Sequence, residues 1–200
     1  MSDQPTSILP GSGSSGFGSE PTPTRPTLRP LEWNGAADFG QLLLRFAVGG
    51  VFFAHGMQKV FGMWGGPGIA GFATSLEGFG YQQPTTLAWV GGIAEMVAGA
   101  FVVLGLLTPF AAGGLLAIKI NAVLLKMGSG FFITSAAGTN AVEFDVVLGL
   151  AAAAIVLTGP GRIALDNGRP WHRRPASWGV LGLVFGIAVG VVVYLLLRTA

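Results

Sequence analysis

The sequence has no cysteine and two histidines, His55 within an apolar stretch and His172 among the arginines of a polar segment. Without thiols there can be no disulfide, no cysteine-ligated iron–sulfur cluster, no lipid-modified N-terminal cysteine and no thiol redox centre. The chain is also poor in charge: Asp, Glu, Lys and Arg make up 10% of 200 residues, against roughly a quarter in an ordinary soluble domain. Hydrophobic residues make up 51% and the mean hydropathy is +0.64, so the composition is that of an integral membrane protein. The formal charge of +2 gives no reason to expect nucleic acid as a partner, because in such a chain the meaning of Lys and Arg lies in their position relative to the bilayer.

Residues 1–36 are dominated by Gly, Ser, Pro and Thr and hold too few apolar groups to offset the entropy of ordering them; they read as a disordered tail. The opening Met1-Ser2-Asp3-Gln4-Pro5 lacks the basic start and early apolar run of a signal peptide. Five apolar stretches follow, at 38–61, 86–107, 109–127, 141–159 and 178–197, each near the roughly 20 helical residues that a bilayer core requires. The predicted fold is an all-α integral membrane protein: an antiparallel four-helix transmembrane bundle over 37–166, then a basic linker and a fifth transmembrane helix over 167–200. Leu107-Thr108-Pro109 is so short a join that the second and third helices must form a tight hairpin.

Arg162, Arg169, Arg173 and Arg174 lie in the loop before the last helix, whereas loops 62–85 and 128–140 contain no Lys or Arg. The excess of positive charge places the Arg-rich loop and the N-terminus in the cytoplasm and the C-terminus outside. Trp33, Trp171 and Trp178 then fall at the inner interface, and Trp64, Trp89 and Tyr194 at the outer one.

Against this apolar background the intramembrane charges carry the functional signal, since one at the bilayer centre costs at least ~3 kcal/mol unless it faces protein, water or a partner. Glu95 and Lys119 lie at similar distances from the 107–109 turn, which predicts that they pair. Arg45, Phe52 and Lys59 recur every seven residues and share a face, with His55 one turn before Lys59. Glu143 and Asp145, two residues apart, point in different directions, and Lys126 is placed to pair with Glu143 or to snorkel to the interface. The candidate site residues are therefore Glu95, Lys119, Arg45, Asp145 and Glu143 for proton or charge chemistry, and His55 and Lys59 for ligand contact. No metal site is predicted, because no second membrane histidine exists to complete a bis-His haem. In the outer loop, Ile69, Phe72, Ala73, Leu76 and Phe79 recur at helical spacing after Pro67, which predicts a short helix lying over the bundle as a lid; the abundant glycine favours a plain loop.

The run RFAVGGVFFAHGMQK from Arg45 to Lys59, the glutamate in GGIAEMVAGAFVVLGLLTP, the Asn140–Glu143 segment and GPGRIALD at 159–166 together resemble the DoxX family of small membrane proteins. Asn-Ala-Val-Glu stands where that family usually has Asn-Gly-Gly-Glu, and Ala-Leu-Asp where Ser-Leu-Asp is usual. The resemblance implies a four-helix bundle in the inner (plasma) membrane of a bacterium, in contact with membrane lipids and linked to thiosulfate:quinone oxidoreductase and to oxidative-stress metabolism. It also implies partner subunits or a homo-oligomer, and a quinone or reduced-sulfur ligand rather than a covalently bound cofactor. On that basis His55 and Lys59 would contact a quinone oxygen, Glu95 with Lys119 would relay protons, and Arg45 would neutralise charge from below. Two other classes stay open: a non-enzymatic protein that binds lipid or small solutes, and a structural subunit that docks a partner through its basic loop.

Overall fold

A computed structural model describes residues 34–134 and 141–198, so the tail expected over 1–36 and the interfacial Trp33 lie, up to residue 33, outside the described residues. Seven α-helices are present among the described residues: α1 (Gly35–Phe61), α2 (Gly68–Gly78), α3 (Pro84–Leu104), α4 (Thr108–Lys126), α5 (Glu143–Thr158), α6 (Pro170–Arg173) and α7 (Pro175–Leu197). Four of them, α1, α3, α4 and α7, are long and apolar enough to cross a membrane. The fourth apolar stretch forms α5, whose 16 residues extend only about 24 Å at the helical rise. It nevertheless runs the length of the bundle, from Asp145 beside Lys126 to Gly159 beside Gln41. The expectation of five similar spans thus becomes four long helices and one short one, because the polar Glu143 and Asp145 occupy its first turn.

The long helices pack through small residues. Ala88, Gly92, Glu95, Gly99 and Val102 form one buried stripe of α3 that faces α1. A Cβ at Gly99 would lie 2.6 Å from the backbone nitrogen of Phe53, so the two helices touch almost backbone to backbone. The fifth apolar helix, α7, docks in the same way on α4, where a Cβ at Gly186 would meet the carbonyl oxygen of Gly113 at 2.5 Å. Gly179, Gly182, Gly186 and Gly190 are its buried face, and the remainder of α7 is largely apolar and exposed, as a lipid-facing surface requires.

The motif GPGRIALD closes one end of the bundle, referred to as the basic end. Arg45 donates there to the carbonyls of Pro160, Ile163 (2.7 Å) and Val103 (3.3 Å), and Gln41 Nε2 donates to Gly159 O at 2.7 Å. Asp166, fully buried, accepts from Leu107 N (3.0 Å), Thr108 N (2.8 Å) and Thr108 Oγ1 (2.8 Å). This carboxylate caps α4 from a distant part of the chain and favours its positive N-terminal end. It also holds Leu107 at φ 48°, a left-handed conformation costly for a residue with a Cβ. The tight hairpin between α3 and α4 is present, with the Asp166 cap closing it.

Candidate functional site

At the opposite end α2 lies over the bundle, and the helical spacing after Pro67 is realised as the predicted lid: Phe72, Ser75, Leu76 and Phe79 face a cavity of about 780 Å³. Its other walls come from α1 (His55, Lys59), α3 (Val90, Ala94), α4 (Lys119, Asn121, Lys126), α5 (Phe144, Asp145) and α7 (Phe185, Val189). The space is mostly apolar, with polar groups supplied chiefly by α1, α4 and the start of α5, and its size is that of a small-molecule pocket.

The charges around it form two clusters. Lys59 pairs with Glu95 through Oε2, while the carboxylate itself is 1% exposed and its Oε1 is buried without a hydrogen-bond partner. Asp145 takes Lys119 on Oδ1 at 2.9 Å and Lys126 on Oδ2 at 2.8 Å. Two lysines also lie over aromatic faces, Lys59 at 4.9 Å from the Phe72 ring centre and Lys119 at 5.0 Å from that of Phe52. His55 stacks on Phe144 with ring centres 6.3 Å apart and stands within electrostatic reach of Lys59, Glu95, Lys119 and Asp145.

The predicted Glu95–Lys119 pair is therefore corrected. Equal height along the hairpin does not give equal direction around the helix axis: Glu95 belongs to the α3 stripe turned toward α1. Lys119 is turned toward α5, where a Cβ on Gly149 would lie 3.3 Å from its own Cβ. Lys126 pairs with Asp145 rather than with Glu143, which is half-buried and off the cavity wall. Of the two acids in the first turn of α5 only Asp145 faces the lysines, as their two-residue spacing requires. Arg45 is also displaced from its expected role, since its guanidinium is committed to carbonyls at the basic end and does not reach the cavity.

Two residues absent from the sequence-based set complete the lid end. Tyr81 donates its hydroxyl to Asn121 Oδ1 at 2.8 Å, and Asn121 Nδ2 donates to Gly190 O of α7 at 2.7 Å. Burial raises the Tyr81 hydroxyl above its ordinary pKa, with nearby Arg198 opposing that shift. Gln82 N donates to Leu197 O at 2.8 Å and Arg198 Nε to Phe79 O at 2.9 Å, so the end of α7 is tied to the segment after the lid. An amide in the middle of an apolar helix was the signal for Asn121, as polar side chains there need partners. Nothing local marks Tyr81.

The architecture is that of a multi-pass helical membrane protein with a mostly apolar pocket under α2, bordered by ion pairs. The DoxX family model matches residues 40–128. Over 135 residues the chain is 33% identical to "Putative oxidoreductase CatD" of Bacillus subtilis (strain 168), covering 66% of this chain and 89% of that protein. It is 32% identical over 134 residues to "Uncharacterized membrane protein Rv3486" of Mycobacterium tuberculosis (strain ATCC 25618 / H37Rv), covering 63% of this chain and 78% of that one. No solved structure matches the chain significantly. The chain belongs to the DoxX family and is a multi-pass membrane protein.

Proposed function

We propose that this protein is a membrane component of an oxidoreductase assembly and that its lid-end cavity holds a quinone or a similar small redox ligand. The observation that carries the reading is the cavity itself: about 780 Å³ of mainly apolar space with His55, Lys59, Lys119 and Asp145 on its wall. That arrangement suits a molecule with a polar ring and an apolar tail. The oxidoreductase name of the Bacillus subtilis relative supports the redox setting. When bound, a quinone supplies two-electron, two-proton acceptor chemistry. The chain's own contribution is to orient the ring, with His55 and the ammonium groups as donors to its oxygens, and to exclude water beneath α2. Having no cysteine, the chain relies on a partner protein for any thiol or iron–sulfur electron carrier.

On the same reading the basic end faces the cytoplasm of a bacterial cell and the cavity opens toward the outer face of the plasma membrane. His55→Gln is the direct test, because His55 is a wall residue and no charge is stranded by its loss. The purified variant should keep its melting temperature and bind a quinone analogue more weakly, as followed by fluorescence quenching. Unchanged affinity in a folded variant removes His55 from the site, and absence of any binding by the wild type removes the quinone reading. In the latter case an acyl chain bound in the cavity would identify a lipid-handling protein.

A further inference from the structure

The cavity's charges do not balance. Lys59, Lys119 and Lys126 bring three ammonium groups to its wall, against the carboxylates of Asp145 and, behind Lys59, Glu95. Both oxygens of Asp145 are already occupied, one by each lysine of α4. Among the described residues no other wall supplies a counter-charge: the α3 and α7 walls are apolar, Glu77 of α2 is exposed, and Glu143 is off the wall. The segment 135–140, between the wall residues Ile133 and Ala141, is Ser-Ala-Ala-Gly-Thr-Asn and has no ionisable side chain. Besides their carboxylate partners, Lys59 and Lys119 rest on the aromatic faces of Phe72 and Phe52, a weaker compensation than a further anion. Lys119 is enclosed, with 7% of its side chain exposed, whereas Lys126 keeps 25% exposed and can present its ammonium to a further anion as well as to Asp145.

We infer that the cavity selects an amphiphile with a singly charged acidic head, which sits by Lys126 and Lys119 with its apolar body against the α3 and α7 walls. The inference rests on the reading of this cavity as the ligand site and adds the charge of the ligand. An acidic hydroxyquinone and a fatty acid share this chemistry.

Three probes separate the possibilities: a long-chain 3-alkyl-2-hydroxy-1,4-naphthoquinone, which is an anion near pH 7, its uncharged 2-methoxy counterpart, and dodecanoate. The full chain in detergent should bind the hydroxy compound at least about tenfold more tightly than the methoxy one, the size of one charge-assisted hydrogen bond. Lys126→Gln should shrink that ratio toward one, and Lys126→Arg should retain it, which separates charge from folding. Displacement of the hydroxynaphthoquinone by dodecanoate shows that the site accepts acidic lipids as well, and failure to displace it confines the site to acidic quinones; with the hydroxy compound preferred over the methoxy one, either result supports an anionic head. Equal affinity for the two naphthoquinones overturns the anion preference and leaves the quinone reading standing. Binding of dodecanoate alone, dependent on Lys126, overturns the quinone reading and leaves the anion preference standing. If none of the three binds, both fall.

Discussion

Removing Lys59 should be far more damaging than removing its partner. Glu95 is 1% exposed and its Oε1 has no hydrogen-bond partner, so Lys59 is the main compensation for this carboxylate. Lys59, by contrast, keeps 22% of its side chain exposed and can swing toward the lid end when Glu95 is neutralised. Breaking a buried pair by deleting one member costs roughly 3–5 kcal/mol when the other charge stays buried. Lys59→Met should approach that range and Glu95→Gln should fall well below it. The double variant should be close to Glu95→Gln alone, so the coupling energy should equal nearly the whole cost of Lys59→Met, about 3 kcal/mol, at the upper end of the span seen for contacting residues. At about 2–4 °C per kcal/mol for a chain of this size, the melting temperature in detergent should drop by roughly 6 °C or more for Lys59→Met and recover in the double variant. A parallel cycle on Glu95 and Lys119 should be additive within about 0.5 kcal/mol, as expected of residues without a shared contact. Additivity in the Lys59–Glu95 cycle, or strong coupling in the Glu95–Lys119 cycle, would refute the pairing described above.

At the basic end, Gly105→Ala places a methyl group at φ 65° with Ala164 Cβ 2.5 Å and Arg45 Nη1 2.6 Å away, so both strain and a clash with the clamp follow, and thermal stability should fall by about 2 kcal/mol or more. Asp166→Ala strips three hydrogen bonds from the start of α4 and should cost a similar or larger amount, read from the same melts. Gly186→Val should lift α7 off α4, and a cysteine pair engineered across the two helices in the cysteine-free chain should then crosslink less efficiently than it does with Gly186 intact. Reporter fusions at residue 170 should read cytoplasmic and those at residue 132 external; the reverse would turn the cavity to the other face of the membrane.

What the sequence made legible was what depends on one coordinate along a helix. Apolar length gave the spans, the Leu107-Thr108-Pro109 join gave the hairpin, and the spacing of Phe72, Leu76 and Phe79 gave the lid. The three facts that escaped, the true partners of Glu95 and Lys119, the commitment of Arg45 and the role of Tyr81, all depend on which way a side chain turns around its axis and on which neighbour lies there. Glu95 could have been placed from its own stripe, because Gly92 and Gly99 flank it at three- and four-residue steps and small residues mark the face of closest approach. No such marker exists for Arg45, whose acceptors are backbone carbonyls, one on α3 and two in a loop more than 110 residues away, and so have no side-chain signature.

The two ends of the bundle are built to different requirements. At the basic end the buried Asp166 carboxylate accepts three donors and the Arg45 guanidinium donates to three carbonyls, all within the chain, so this end carries little that a ligand could compete for. At the lid end one carboxylate oxygen of Glu95 is unmatched, three lysines share two acids, and a cavity separates them from an apolar wall on α7. A bundle stabilised for its own sake would be cheaper with apolar residues at those positions, since replacing a buried ion pair by well-packed hydrophobic groups is often neutral or stabilising. Each end keeps a buried atom of a charged side chain without a partner, Arg45 Nε and Glu95 Oε1, but only at the lid end do the charged groups line a cavity, the arrangement expected when a further partner is a molecule that comes and goes.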